Sequence, residues 1–119
     1  MKWNELPTPC YVVDQKKLKE NLIILHNLEQ DTGCHVLLAQ KAFSTYALYP
    51  LIGQYISGTT ASGLYEARLG AEEMGREIAS YAASRQDLEL ISDYYQTRAE
   101  KYRILGELPQ TKSTFAVSG

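Results

Sequence analysis

The chain has 119 residues, 45% of them hydrophobic and 22% charged, with a formal net charge of −2. That size suits one small domain, and the composition is that of a globular protein. A balance so close to neutral leaves no basic footprint, so nucleic acid is not an expected partner. No apolar run is long enough to span a bilayer or to form a secretory core, so no membrane association is expected and the expected location is cytoplasmic. Cys10 and Cys34 make no CxxC pair, and His26 and His35 have no metal-ligand spacing. Two free, buried thiols, no zinc site and structural histidines are therefore expected.

From the N-terminus, residues 8–13 (TPCYVV) are rich in β-formers and are entered through Pro7 and Pro9, which predicts a short strand. Asp14 suits a helix N-cap, and the following QKKLKENLIILHNLEQ places Leu18, Leu22 and Leu25 on one stripe beside a solvated face bearing Lys16, Lys17 and Lys19. Gly33 supplies the stop. His35–Gln40 (HVLLAQ) is continuously apolar rather than alternating, as a strand covered on both faces of a parallel sheet would be.

Ser44 could cap STYALYPLIGQY, but Pro50 lies too deep for a helix starting there, so a kink or a late start near Tyr49 is predicted. Gly58–Ala61 (GTTA) is a short strand. Residues 63–74 form a second helix with Leu64, Ala67, Ala71 and Met74 on one face, capped by Ser62 and ended by Gly75. Beyond Ile78 the pattern changes: ASYAASRQDLELISDYYQTRAEKYRIL reads mainly as helix, anchored by Leu88, Ile91, Tyr95 and Tyr102. The last stretch, GELPQTKSTFAVSG, reads as an irregular tail.

Alternating strands and helices imply an α/β fold with a parallel sheet, either doubly wound or a (β/α)8 barrel. No G-x-G-x-x-G follows any strand, which removes the main dinucleotide marker of the first. The second ordinarily needs about 250 residues.

Lys41 stands directly after the apolar run. A lysine there is ordinarily a solvated loop residue. Yet side chains at the carboxyl ends of parallel strands face the ligand-binding mouth, and an amine partly desolvated there can attack a carbonyl to form a Schiff base. Glu66 is, in the plain reading, a first-turn carboxylate favoured by the helix dipole. In the functional reading it supports a lysine on the neighbouring strand.

Three blocks, LPTPCYVVD, LLAQKAFS and GTTASGLYEARLGAEEMG, together resemble the N-terminal portion of the carboxynorspermidine (carboxyspermidine) decarboxylases. These belong to the alanine-racemase-like, fold-type III group of pyridoxal-phosphate enzymes, with ornithine decarboxylase as a relative. The resemblance runs from residue 1 to about 78. It implies a partial cofactor-binding (β/α)8 barrel over residues 1–78, with TPCYVV as a strand of the separate β-domain. Residues 79–119 would then be a helical, afterwards irregular tail outside the family pattern.

On that resemblance Lys41 is the lysine that binds pyridoxal 5'-phosphate covalently, and Glu66 is a second cofactor-site residue. The group's serine and glutamate stand three residues apart, whereas Ser62 and Glu66 stand four apart, which aligns the serine position with Gly63. The implied reaction is cofactor-dependent decarboxylation of carboxynorspermidine or carboxyspermidine in polyamine biosynthesis, by a homodimer. The cofactor-phosphate loop, the partner of the ring nitrogen and the stacking histidine have no counterpart here. A truncated, inactive N-terminal fragment is therefore expected. The alternatives are a non-catalytic fragment that docks on a full-length homologue, or another fold-type III protein such as an amino-acid racemase.

Overall fold

A computed structural model describes residues 2–82, 84–104 and 113–117. Helix α1 (Gln15–Thr32) has the predicted ends: the Asp14 carboxylate accepts from the Lys17 backbone N–H at 3.1 Å, and Gly33 takes the left-handed conformation at φ 73°. After β1 (Leu37–Ala39), a 3-10 turn at Tyr46–Leu48 leads into α2 (Tyr49–Ile52), where Pro50 falls in the first turn. This is the late start that Pro50 demands. Strand β2 (Gly58–Ala61) and helix α3 (Leu64–Glu73) follow as expected, with Gly75 left-handed beyond the helix.

Past Ile78 the structure departs from the sequence reading. Residues Glu77–Ala82 are strand β3, Arg85–Ile104 are helix α4, and Ser113–Val117 are strand β4. The boundary drawn at residue 78 falls inside β3, and the tail is not irregular at 113–117. EIASYA is poor in β-formers, so propensity favours helix; the open edge of β2 decides otherwise. Ile78 and Ser80 are buried while Ala79 between them is half-buried, a strand alternation. Leu88, Ile91 and Tyr95 do anchor α4, while the Tyr102 side chain lies outside the described residues.

The four strands are parallel and ordered β1-β2-β3-β4, the order in which they occur in the chain. A doubly wound sheet reverses direction at a switch point; no reversal occurs among these strands. Thr59, Ala61, Ile78 and Ser80 are buried on the helix-covered face, whereas Thr60 and Ala79 on the opposite face are only half-buried. Ala61, Ala67, Ala71, Ile78 and Ile91 form one core between β2, β3 and helices α3 and α4. Leu22, Tyr49, Ile52 and Ile56 form another beneath α1.

Three expectations for residues 1–40 are corrected. Residues 10–14 adopt no strand, and Tyr11 is fully exposed. Extended β-formers need a neighbouring strand, and among the described residues none pairs with TPCYVV. Strand β1 has three residues, all half-buried, because it is the edge of the sheet rather than an interior strand. Both cysteines are free but exposed, with Cys34 accepting from the Thr32 hydroxyl at 2.9 Å.

The amino end of the sheet is held by charge. The Glu29 carboxylate accepts from Val36 N–H at 2.7 Å, Ser57 N–H at 3.0 Å and Ser57 Oγ at 2.7 Å, tying α1 to the entries of β1 and β2. Burial raises the Glu29 pKa. The bonds from Ser57 and Val36, with His35 nearby, outweigh it and hold the group below its ordinary value. His35 pairs with Glu77 across the start of β2, and His26 Nδ1 meets the Tyr55 carbonyl oxygen at 2.9 Å, so both histidines are structural. At Gly58, between the strands, an added Cβ would lie 1.7 Å from the Glu77 carbonyl oxygen.

Two outcomes follow for stability. Gly58→Ala should part β2 from β3 and lower the urea midpoint, by the ~1–3 kcal/mol typical of overpacking or more. Glu29 has a depressed folded-state pKa, so its contribution is complete above the unfolded carboxyl pKa and is lost as pH falls through the folded value. Glu29→Gln should therefore cost about 2 kcal/mol at neutral pH, and less towards acid, in urea melts run from neutral to acidic pH.

Candidate active site

At the carboxyl end of the sheet, the chain leaves β1 through a tight turn. Ala42 N–H and Phe43 N–H both donate to the Ala39 carbonyl oxygen, at 3.0 and 3.1 Å, and Lys41, within the turn so closed, is exposed. This is where the sequence placed a candidate nucleophilic amine, and the strand end fits that reading.

Gln40, immediately before the lysine, is the residue that the sequence did not reveal. It is only 3% exposed. Its Nε2 donates to the Thr60 carbonyl oxygen at 3.0 Å and to the Glu66 carbonyl oxygen at 2.9 Å. Its Oε1 accepts from the Tyr49 hydroxyl at 3.1 Å. Both amide N–H groups and the carbonyl are thus partnered, as a buried primary amide requires. The Tyr49 hydroxyl also approaches the Phe43 carbonyl oxygen at 3.4 Å, so the turn is held on either side of Lys41.

Tyr49 is fully buried. Burial, and then the Glu66 carboxylate, push its phenol above the ordinary range, which keeps the hydroxyl protonated and able to donate. Glu66 lies in the first turn of α3, half-buried, and its carboxylate accepts from Ser62 N–H at 3.3 Å. The helix N-cap is Gly63, not Ser62. The expected Ser62 cap is replaced by this reach-back from Glu66, which satisfies a backbone donor just outside the helix. Lys41 and Glu66 stand at the carboxyl ends of adjacent strands, and the Gln40 amide links the backbones that carry them.

Helix α3 reaches this position because residue 70 lacks a side chain. A Cβ on Gly70 would lie 2.3 Å from Thr59 Oγ1 and 3.1 Å from Gln40 Nε2. Thr59 Oγ1 is itself buried with no hydrogen-bond partner. Arg68 on α3 is exposed and pairs with Glu72 at 3.4 Å.

Among the described residues no group of three or more His, Cys, Asp or Glu could hold a metal ion, and no helix is long and apolar enough to cross a membrane. A cavity of about 240 Å³ is lined by Trp3, Leu6, Val12, Val13 and Asp14, and the Asp14 carboxylate is engaged as the cap of α1. For pyridoxal phosphate, the residues present fit the aldehyde end: an accessible primary amine on a turn pinned from both sides, with a carboxylate at the next strand end.

No protein-family model matches the chain. It is 40% identical over 79 residues to a carboxyaminopropylagmatine decarboxylase of Synechocystis sp., covering 66% of this chain and 20% of that protein. Carboxynorspermidine/carboxyspermidine decarboxylases are similar at 38% over 85 residues in Herminiimonas arsenicoxydans and 33% over 90 residues in Campylobacter jejuni. These matches cover 71% and 76% of this chain, and 23% and 24% of theirs. The structure superposes with a TM-score of 0.69 and 28% identity on the crystal structure of carboxynorspermidine decarboxylase complexed with norspermidine from Campylobacter jejuni, over 83% of this chain and 29% of that one. The chain thus spans about a fifth to a quarter of the curated relatives it matches.

Gly70→Ala should force α3 away from β2. The clash, at ~1–3 kcal/mol, should outweigh the gain of about 1 kcal/mol from alanine's helix propensity, leaving a net loss in urea unfolding. Adding Thr59→Ala, which removes the atom struck, should restore part of that loss.

Proposed function

Since the chain belongs to the carboxynorspermidine decarboxylase family, of which it spans a part, we propose that it supplies the lysine-bearing sector of a pyridoxal-phosphate-dependent decarboxylase of polyamine biosynthesis. The observation that carries this reading is the position of Lys41: an exposed amine on a doubly pinned turn at the carboxyl end of a parallel strand. The sequential strand order supports a barrel of the alanine-racemase type as the surrounding fold.

In this reading Lys41 would be the residue that holds the cofactor, covalently through its aldehyde. Glu66 lies beside it as the carboxylate of the cofactor site. When bound, the cofactor's pyridine ring supplies the sink for the electron pair left by departing carbon dioxide. The chain's own contribution is positional: the turn holds the amine where the aldehyde arrives, and Gln40 ties it to the strand end carrying Glu66. Residues 1–78 are proposed to form part of the barrel; the likeness to the relatives extends over as many as 90 residues, so it reaches beyond that boundary, which β3 straddles. The cytoplasm is the proposed location and a homodimer the proposed assembly. The 119-residue chain alone is proposed to be inactive as a decarboxylase, since Lys41 and Glu66 do not by themselves provide the cofactor-phosphate and ring-nitrogen contacts.

The proposed substrates are carboxynorspermidine and carboxyspermidine, supported by the relatives' names and by the norspermidine in the similar crystal structure. A second substrate reading, carboxyaminopropylagmatine, is favoured by the 40% identity to the Synechocystis protein. That all these relatives are named decarboxylases supports carbon dioxide loss over racemisation.

Titrating the purified chain with pyridoxal phosphate should give a saturable visible absorbance band that Lys41→Ala abolishes. Equal, weak, unsaturable absorbance in both would contradict the reading. Replacing the matching segment of the Campylobacter jejuni enzyme with residues 1–78 should retain carbon dioxide release from carboxynorspermidine or carboxyaminopropylagmatine. Lys41→Ala in that chimera should reduce the release at least ~1,000-fold, as loss of a covalent catalytic group does.

A further inference from the structure

We infer that Gln40 and Tyr49 form a neutral clamp that positions Lys41, so that this buried pair, and not the lysine's sequence position alone, sets how readily the amine meets the cofactor aldehyde. The inference rests on the proposed role of Lys41 and adds two positioning residues to it.

Three observations converge. Gln40 is one of only three buried polar residues among those described, together with Thr59 and Ser80. Its bonds run to three other elements: the end of β2 through the Thr60 carbonyl, α3 through the Glu66 carbonyl, and α2 through the Tyr49 hydroxyl. The Tyr49 hydroxyl returns to the turn itself at the Phe43 carbonyl, 3.4 Å away. Lys41 therefore lies inside a loop of contacts running Gln40–Tyr49–Phe43, in which the one Tyr49 proton is shared between the Gln40 and Phe43 oxygens and whose backbone side is the Ala39 turn.

The geometry exceeds what holding β1 to β2 requires, since backbone pairing of Leu37–Ala39 with Gly58–Thr60 does that already. The amide extends the connection past the last paired residue, to the point where the chain would otherwise leave the sheet freely. A lysine on a free turn spreads its amine over many rotamers and backbone positions. Fixing the backbone removes part of that entropy before the ligand arrives. A charged clamp in the same place would compete with the ammonium or with the cofactor's own charges. A primary amide and a protonated phenol hold the turn without adding a formal charge.

The test uses the 119-residue chain and two conservative variants. Gln40→Met keeps the volume and removes all three bonds; Tyr49→Phe removes one hydroxyl and keeps the ring in its core. Hydrogen exchange at the Ala42 and Phe43 amides should rise at least ~10-fold in each variant, while the amides around Leu22 in α1 stay protected. The pyridoxal-phosphate concentration giving half-maximal Lys41-dependent absorbance should rise about fivefold or more in both. Should Gln40→Met lose the α1 protection, Tyr49→Phe alone decides the matter.

A loosened turn with unchanged half-saturation would overturn the inference and leave the role of Lys41 standing, because the clamp would then be merely structural. Unchanged exchange at Ala42 and Phe43 would overturn it as well. If the parent chain gives no Lys41-dependent band at all, the proposed function fails and the positioning role fails with it.

Discussion

One constraint organises the carboxyl end of this sheet: a primary amide that has been taken out of water must find partners for every polar group it carries. Leaving any of them unpaired costs on the order of 1–3 kcal/mol each. Gln40 meets that demand by bonding to three elements at once, and in doing so fixes where β1 ends, where α3 begins and how α2 lies. Gly70 belongs to the same arrangement, because α3 can approach the amide only where no Cβ intervenes. The lysine next in sequence inherits a fixed backbone.

The two ends of the sheet are held by different physics. At the amino end the fastenings are ionic: Glu29 collects three donors from two loops, and His35 meets Glu77. At the carboxyl end they are neutral, apart from the Glu66 carboxylate and the exposed Lys41 amine. The division suits a βα-repeating fold in which one end serves stability and the other carries ligands. It also places the depressed Glu29 carboxyl at the end of the sheet away from the proposed chemistry.

Much of the fold was legible in the sequence because local rules and tertiary needs agree over it. Asp14 and Gly33 bracket α1, the alanine stripe marks the buried face of α3, and Pro50 dates the start of α2. Three separated blocks in order, from LPTPCYVVD to GAEEMG, carried the family likeness. Legibility failed where the deciding partner lies far along the chain. TPCYVV has β-forming residues and no strand to pair with among the described residues, whereas EIASYA has few of them and pairs because β2 offers an edge. Gln40 and Glu29 are single polar residues whose partners are 7 to 28 positions away in the sequence, and no periodicity announces such bonds. Lys41 was found because an amine after an apolar run is conspicuous; the amide beside it was not.

The proposed site depends on Lys41 differing from the chain's other lysines, and that difference can be measured directly. The chain would be mixed with less than one equivalent of pyridoxal phosphate, reduced with borohydride and digested, and the modified peptides quantified by mass spectrometry. The account predicts that the label falls mainly on Lys41, well above Lys2, Lys16, Lys17 and Lys19. Label distributed evenly across these amines would contradict it, because Lys41 would then be one more solvated side chain and the clamp beside it would have nothing to position.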